Sequence, residues 1–265
     1  MGTRRSLASA AIIGGLVVVL GILGLGPVQA RPPEPVAALG EPITITFQRG
    51  LNGYSGVADA CINASSRDAN YGGEGLSLNQ NGGYRSLLRF ELGSIPEHAV
   101  IDLAELQLYV WYQNPADRSL DVSAYLLLRS WEEGSVTYNS ARSGVPWDAP
   151  GADGVGTDRQ GSAVGTIRLT AANRTVTLDL RAAVQQWVSS PASNHGLILI
   201  GGPGSVFFGL SSSEAPSNRP ALRVTYHVDA TPGPTPTPTE TLTPTEGPSP
   251  TASSPGRTPT PNPPH

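Results

Sequence analysis

The chain has 265 residues, a formal net charge of −4 and only 14% charged residues. Its sparse, slightly acidic charge and the lack of any Lys/Arg cluster argue against nucleic acid or an anionic membrane surface as a partner. The single cysteine, Cys61, excludes an internal disulfide, and no basic or His-rich motif surrounds it. We therefore predict a buried small residue at Cys61 in place of a reactive thiol.

The first 30 residues have the pattern of a signal peptide. Arg4 and Arg5 precede an apolar stretch at residues 7–25, and residues 28–30 (VQA) fit the small-x-small cleavage pattern. The alternative is an uncleaved anchor, because the apolar stretch approaches the roughly 20 residues that cross a bilayer. In either case we expect a secreted or surface-displayed protein that contacts the membrane only through an uncleaved segment. Residues 31–41 are predicted to form a short linker.

Alternating apolar and polar residues predict strands in a domain that spans about residues 42–228. A period of two places one face of each strand against a core and the other toward solvent or a groove. Many such strands separated by turn residues indicate an all-β fold, a two-sheet antiparallel β-sandwich. The alternation runs through residues 43–47, 104–112, 120–128, 176–180 and 222–228.

Three further segments have a different pattern. Asp179 is expected to cap a short helix that Pro191 follows. Residues 196–202 form a continuous apolar run that predicts a central strand, and residues 206–210 predict its neighbour. Residues 141–165 lose the pattern and predict a long surface loop. The apolar face of the helix is predicted to contain Leu180, Ala183, Val184, Trp187 and Val188.

Residues 229–265 are predicted to be a disordered Thr/Pro-rich tail. Leu242 is its only sizeable aliphatic residue. Such a segment cannot bury enough apolar surface to offset its ordering entropy. Repeated Thr-Pro steps favour an extended polyproline II spacer. A tether that spaces or displays the domain and a passive terminus both fit this composition.

Sequence motifs for catalysis are missing. The four histidines are scattered, with no HExxH motif and no histidine beside a G-x-S-x-G elbow. Glu132 and Glu133 are adjacent and would point apart, so they do not simply flank one glycosidic bond at roughly 5–10 Å. A distant partner such as Glu91 or Asp102 stays open. We predict that the protein is not an enzyme and keep a polysaccharide-degrading activity as an alternative.

Three aspartates, Asp148, Asp153 and Asp158, recur in the segment PWDAPGADGVGTDR. Hard cations such as calcium need several converging oxygens, which loop aspartates supply. Short-range Asx turns explain these residues equally well, and their spacing differs from the helix-loop-helix calcium pattern. No cofactor is predicted beyond a structural calcium ion at these residues, which remains open against solvated turn residues.

Aromatic residues suggest a ligand-binding surface. If Leu106, Leu108 and Val110 face the core, Tyr109 and Trp111 must project from the opposite face of their strand. The segments at 104–112 and 120–128 are predicted to pair as a hairpin across NPADRS, which would place Tyr125 on the same face. Three rings on one face form a platform that suits the apolar side of a sugar ring.

Charged residues on the neighbouring segment complete this predicted site. Arg85, Arg89 and Glu91 have the parity opposite to Leu88 and Phe90, so they are expected to contact the polar edge of a sugar. Arginine favours a carboxylated sugar. The alternative is that the long loop or the helix covers the rings, since aromatic residues are also good strand formers. Trp131 and Tyr138 are predicted to be structural, and both roles stay open for Trp147.

The run NYGGEGLSLNQNGGYRSLLRFELGSIP at residues 70–96, followed by AELQLYV and SWEEGSVTYN, resembles the DNRLRE domain family, also classified as carbohydrate-binding module family 96. ADACI (58–62), GTDR (156–159) and SSEAPSNRPALRVTY (212–226) are similar to further family segments. Cys61 departs from the aromatic residue or threonine common at that position. The resemblance implies a jelly-roll β-sandwich in secreted or polysaccharide-associated proteins, some of which bind carbohydrate, including acidic polysaccharide.

The sequence thus predicts a secreted or surface-displayed, non-catalytic carbohydrate-binding module for cell-wall or extracellular polysaccharide, including acidic polysaccharide. Many family members lie beside enzymes, but this sequence contains no companion catalytic domain, so we do not expect an enzyme-targeting role. The alternative is a structural or adhesive surface module that contacts other proteins.

Overall fold

The computed structural model describes residues 40–229. The predicted signal peptide, nearly all of the predicted linker and the Thr/Pro-rich tail after residue 229 lie outside these residues. Within them, no helix is long and apolar enough to cross a membrane. The elements are β1 (Ile43–Phe47), β2 (Val57–Asn63), β3 (Leu76–Asn79), β4 (Tyr84–Phe90), β5 (Val100–Asn114), β6 (Leu120–Leu126), β7 (Ser140–Arg142), β8 (Val145–Pro146), β9 (Gly165–Leu169), β10 (Arg174–Asp179), α1 (Arg181–Ser189), β11 (Leu197–Gly201), β12 (Phe207–Leu210) and β13 (Ala221–His227).

Two antiparallel sheets form the domain and confirm the predicted β-sandwich. Sheet A has the order β1-β13-β5-β12-β3, with β10 also paired to β5, and sheet B has the order β2-β4-β11-β6-β9. The short β7–β8 hairpin is separate from both. The predicted central strand is confirmed as β11, which pairs with β4 and β6 in sheet B.

The long strand β5 is the centre of sheet A. Leu106 pairs with β13 and with β10, whereas Val110 pairs with β12 and with β10. Strands β12 and β13 therefore lie one after the other along the same edge of β5. The chain between them, residues 211–220, leaves the sheet at this junction.

The main core lies between the sheets, and the alternation of β5 builds its sheet A side. Ala104, Leu106, Leu108 and Val110 have 0% exposure and belong to this core. Fully burying a leucine stabilises a fold by about 1.5–3 kcal/mol, so these positions hold the register of β5. The predicted inward face of this strand up to Val110 is confirmed.

The predicted helix is also confirmed. Its buried residues are Ala183, Val184, Trp187 and Val188, which form one stripe. The Asp179 carboxylate accepts a hydrogen bond of 2.9 Å from the Arg181 N–H, at the start of the helix. The Gln185 side chain accepts from the Ile101 N–H and donates to the Ala99 carbonyl, which attaches the helix to the start of β5.

Two predicted strand pairings are wrong. β5 lies in sheet A and β6 in sheet B, so the NPADRS segment crosses from one sheet to the other and does not close a hairpin. Likewise, β12 pairs with β5 and β3 and not with β11. Alternation shows which face of a strand is buried, but it does not identify the partner strand, because both sheets bury their inner faces in the same core.

The prediction for residues 141–165 is right that the stretch is largely irregular, but it is wrong that the stretch is a surface loop, because several of its side chains are buried. Together with the residues before it, this stretch forms a covering segment, residues 127–164, which packs on the outer face of sheet B and encloses a second core. Trp147 is only 4% exposed and donates a 3.0 Å hydrogen bond to the Thr137 carbonyl. Trp131 and Tyr138 are buried, as predicted. The members of this core are Ala60, Ile62, Leu87, Leu127, Trp131, Val136, Tyr138, Ala141, Trp147, Ala152 and Ile198.

Replacing Trp131 tests whether the covering segment is part of the stable fold. The Trp131 side chain is 1% exposed, and its indole N–H donates to the His195 carbonyl at 2.9 Å. We expect Trp131→Ala to lower the free energy of unfolding by about 3–5 kcal/mol through the cavity that it creates. Urea unfolding measures this change. The control is Trp111→Ala, at a residue 51% exposed, which should change it by about 1 kcal/mol or less. An equal loss of unfolding free energy in Trp131→Ala and Trp111→Ala would contradict the existence of a second core.

The thiol of Cys61 should be inert in the folded protein. Burial raises the pKa of Cys61 to about 12, and the side chain is only 3% exposed. Because the thiolate is the reactive form, we expect no labelling by Ellman's reagent at pH 8 over an hour, and one thiol per chain in guanidinium chloride. Fast labelling of the native protein would contradict this packing.

Candidate functional site

A β-bulge shapes the outer face of sheet A where β5 pairs with β12. Gly209 pairs with Tyr112 and Leu210 pairs with Val110, which leaves Trp111 as an extra residue on β5. A bulge of this kind bends the strand and redirects the side chains around it. As a result Trp111 and Tyr112 are both exposed, to 51% and 40%. The alternation predicted through residues 104–112 would place Tyr112 on the inward face with Val110, and this extra residue makes that prediction wrong.

Gly209 allows the Trp111 ring to lie close to the sheet. A Cβ atom at Gly209 would be 2.9 Å from Cε2 and Cζ2 of the Trp111 ring. A Cβ at Gly75 would be 4.0 Å from the indole nitrogen. The indole therefore lies over a part of the sheet that lacks side chains, which holds its other face toward solvent.

Further rings extend this surface. The ring centroids of Trp111 and Tyr112 are 5.4 Å apart, and those of Tyr112 and Phe207 are 6.0 Å apart. Tyr84, the first residue of β4 in sheet B, contacts Phe207 edge-on, with centroids 5.4 Å apart. Tyr109 lies on the other side of Trp111, two residues earlier on β5. We call these five residues the aromatic strip.

A groove of about 460 Å³ adjoins the Tyr109 end of the aromatic strip. Tyr109 and Trp111 line it together with residues 73–75 and residues from the segment 211–220. The charged side chains among the described lining residues are those of Glu74 and Glu214, with no arginine or lysine. The groove thus combines two aromatic rings with hydroxyl groups and a negative charge.

Of the predicted platform residues, the structure brings Tyr109 and Trp111 together and separates Tyr125 from them. Tyr125 is in β6, in sheet B, where it pairs with Ile198. The Arg159 guanidinium lies 4.4 Å from the centre of its ring. The predicted platform of Tyr109, Trp111 and Tyr125 is wrong, because it depended on the hairpin that does not form. Tyr112 and Phe207 extend the surface in its place.

The predicted arginine contacts also lie elsewhere. Arg85 is only 5% exposed, and it donates hydrogen bonds to the carbonyls of Gly82 and Gly151. The Arg89 guanidinium lies 5.5 Å from the centre of the Trp131 ring. Their predicted parity is correct, but it directs them to the outer face of sheet B, beneath the covering segment. They do not join the aromatic strip.

A second cavity of about 560 Å³ contains the remaining predicted residue, Glu91. Arg89, Trp187 and Asn194 are among its other lining residues. Trp187 is 2% exposed, and its indole nitrogen has no hydrogen-bond partner among the described residues. This cavity therefore offers two acids, Glu91 and Glu97, one base and a largely covered ring, whereas the groove offers exposed aromatic surface.

The three aspartates predicted to bind calcium have protein partners. The fully buried Asp158 carboxylate accepts hydrogen bonds from the N–H groups of Asp148, Ala149 and Gly154. Asp148 accepts a bond from the Thr157 hydroxyl at 2.9 Å. These carboxylates close turns within the covering segment, which is the alternative role considered for them.

Asp153 is the third of these aspartates, and two arginines hold it. Its carboxylate contacts Arg85 at 2.9 Å and Arg159 at 3.0 Å. Burial alone would raise the pKa of Asp153, but the hydrogen bonds and charges of the two arginines lower it overall. Arginine therefore occupies the position that a cation would need, and Asp148, Asp153 and Asp158 do not converge on a common point as the predicted calcium site requires.

A different set of acids does converge. Asp59 in β2, Glu133 in the covering segment and Glu214 in the segment 211–220 each place a carboxylate oxygen within 4.8 Å of the others. We call these residues the acidic cluster. Burial, followed by the charge of Glu214, raises the pKa of Asp59 to about 7, and burial also raises the pKa of Glu133.

Sequence reasoning did not find this cluster. Asp59 was noted only within a family-like segment, and Glu133 was weighed only with its neighbour Glu132. Glu214 had no separate signal. The three residues come from distant parts of the chain, and only the pairing of the sheets brings them together.

The profile of the disaggregatase related repeat domain matches residues 62–224. No curated protein matches the chain. The matched stretch begins in β2 and ends in β13, so it includes strands of both sheets and the whole aromatic strip. The finer assignment to the DNRLRE family and carbohydrate-binding module family 96 remains a prediction. Because the match covers more than half of the chain, the protein belongs to the family of the disaggregatase related repeat domain.

Proposed function

We propose that this protein is a non-catalytic carbohydrate-binding module that binds polysaccharide along the aromatic strip and its adjoining groove. The observation that carries the proposal is the half-exposed Trp111 ring, which lies over Gly209 beside the exposed Tyr112. Aromatic faces bind the C–H side of sugar rings, and nearby polar groups bind the hydroxyls. The groove supplies such groups from Ser212, Ser217 and Asn218.

The charge of the groove favours a neutral polysaccharide. Glu74 would repel a carboxylated sugar, Glu214 is already paired with Arg49, and the described lining residues of the groove include no arginine to pair with such a sugar. Arg85 and Arg89, which suggested an acidic ligand, are engaged with the covering segment on the opposite side of the sandwich. We therefore expect neutral cell-wall or extracellular glycans to bind more tightly than acidic ones.

The burial of Asp59, the member of the acidic cluster whose pKa is raised to about 7, supports binding without cleavage. A general acid must come within hydrogen-bond reach of the glycosidic oxygen. Asp59 is fully buried beneath Ser213, so a sugar chain in the groove cannot contact its carboxyl group. The signal-peptide pattern in the first 30 residues supports a site of action outside the cytoplasm.

Affinity electrophoresis of the full chain in gels that contain neutral or acidic polysaccharides tests this function. We expect retention by at least one neutral polysaccharide, and at least tenfold weaker binding for Trp111→Ala and for Tyr112→Ala. A tenfold loss corresponds to about 1.4 kcal/mol, which is within reach of one lost stacking contact. The control is Tyr125→Ala, which removes a ring from sheet B and should leave retention unchanged in a folded protein.

Several results would contradict this proposal. Failure of every polysaccharide to retain the chain would favour the adhesive module that contacts proteins. Retention by alginate alone, unchanged in Trp111→Ala and Tyr112→Ala, would indicate that the binding site lies on the side of the sandwich that contains Arg85 and Arg89. Release of reducing sugars that Glu133→Gln abolishes would show an enzyme.

Gly209→Ala tests the position of the Trp111 ring without removing any ring. The added methyl group would collide with the indole, so we expect the ring to tilt and polysaccharide binding to weaken severalfold. The matched control is Gly93→Ala, because a Cβ atom at Gly93 meets nothing within 4 Å. Isothermal titration with the retained glycan measures both variants. Unchanged affinity in Gly209→Ala would show that the ring position is unimportant.

A further inference from the structure

We propose that the acidic cluster of Asp59, Glu133 and Glu214 binds a calcium ion. The proposal is independent of the glycan site, although Glu214 also lines the groove. The three residues belong to an edge strand, to the covering segment and to the connection between β12 and β13. A shared ion would therefore join three parts of the chain that no strand pairing within the described range joins.

The distances suit a calcium ion. Oxygens that bind one Ca²⁺ lie about 2.4 Å from it, so any two of them are at most about 4.8 Å apart. The three carboxylate oxygens of the acidic cluster all lie within 4.8 Å of one another. They can therefore share one ion without a change in the positions of their strands and loops.

Asp59 provides the second observation. It has 0% exposure, and its Oδ1 has no hydrogen-bond partner among residues 40–229, whereas its Oδ2 accepts a 2.7 Å bond from the Ser213 N–H. A buried acceptor without a partner costs free energy and is rare in folded proteins. Oδ1 belongs to a carboxyl group that faces two further carboxylates, where a bound cation would give it a partner.

The charge of the site fits a divalent ion. The three carboxylates carry −3 when ionised, and Arg49, which contacts Glu214, adds +1, so the sum is −3 + 1 = −2. Arg49 also donates to the Ser213 hydroxyl at 3.0 Å. Arg89 lies farther away and its charge also acts on Glu133, so the two arginines compensate the three carboxylates only in part, and a divalent cation would supply the remaining positive charge.

The ligand type selects calcium among divalent ions. The acidic cluster consists of carboxylates and includes no histidine or cysteine, which zinc prefers. Magnesium demands near-ideal octahedral geometry, whereas calcium accepts irregular sets of six to eight oxygens. An irregular set is what three separate segments supply.

The surroundings show how the ion would stabilise the fold. The Asp59 N–H, on the edge of β2 away from β4, donates to Glu133 at 3.2 Å. The Asn70 amide donates to the Glu133 carbonyl at 2.8 Å. The ion would add to these contacts and fix the covering segment and the segment 211–220 against β2. A proton shared between two of the carboxyl groups is the rival means of holding them together.

Calcium titration of the full chain after EDTA treatment tests the proposal. Isothermal titration calorimetry should show one site per chain. Calcium a hundredfold above its dissociation constant should raise the thermal midpoint by about 5–10 °C. Glu214→Gln should weaken binding at least tenfold, because it removes one of three charged ligands. Asp59→Asn should also weaken calcium binding at least tenfold. The control is Asp148→Asn, which changes an aspartate of the covering segment and should leave calcium binding unchanged.

Other results would contradict calcium binding by the acidic cluster. Absence of both heat and a thermal shift with the wild-type chain would show that a shared proton holds the cluster. Loss of binding in Asp148→Asn, with Glu214→Gln unaffected, would move the ion to the covering segment. Binding of zinc but not calcium would contradict the ligand argument. If Asp59→Asn does not fold, Glu214→Gln decides, since its side chain is 30% exposed and lies in a connection outside the strands.

Discussion

The packing of the inner face of β5 against sheet B is the constraint on which the rest of the structure depends. Three strands pair with β5, with β10 on one edge and both β12 and β13 on the other. Its fully buried side chains prevent a slip in register, because a shift of one residue would turn each of them toward solvent. The extra residue at Trp111 is accommodated as a bulge, and Trp111 and Tyr112 become exposed. The same packing that builds the core therefore creates the aromatic strip.

The two outer faces of the sandwich differ in how far they are covered. The covering segment buries the outer face of sheet B, and Arg85 and Arg89 attach the segment to that sheet. The outer face of sheet A keeps Trp111 and Tyr112 exposed. This asymmetry supports the proposal that a ligand binds to sheet A, while Arg85 and Arg89 hold the covering segment on sheet B. The acidic cluster lies where the edge of sheet B, the covering segment and the connection from β12 to β13 meet, and a calcium ion there would stabilise one wall of the groove.

The sequence predicts local features well and long-range pairing poorly. The period-two pattern gives β1, β5, β6, β10 and β13, and the spacing of apolar residues gives α1, because each pattern follows from which side of an element is buried. No local sequence pattern indicates which sheet β6 joins. This is why the sequence wrongly predicts that Tyr125 lies on the same face as Tyr109 and Trp111. The covering segment was missed because its buried residues follow no period. The acidic cluster could not be predicted because its three residues are distant in the sequence. The exposure of Tyr112 results from a bulge whose only sequence signal is Gly209 in the facing strand.

The indole N–H signals of the tryptophans provide the most direct test of the account. The chain contains four tryptophans, of which Trp131, Trp147 and Trp187 are buried and Trp111 is half exposed. In an NMR titration of the ¹⁵N-labelled protein with oligosaccharides of a retained polysaccharide, we expect the signal of Trp111 to shift and the other three to stay in place. A shift centred on Trp187 would place the ligand in the second cavity and contradict binding at the aromatic strip.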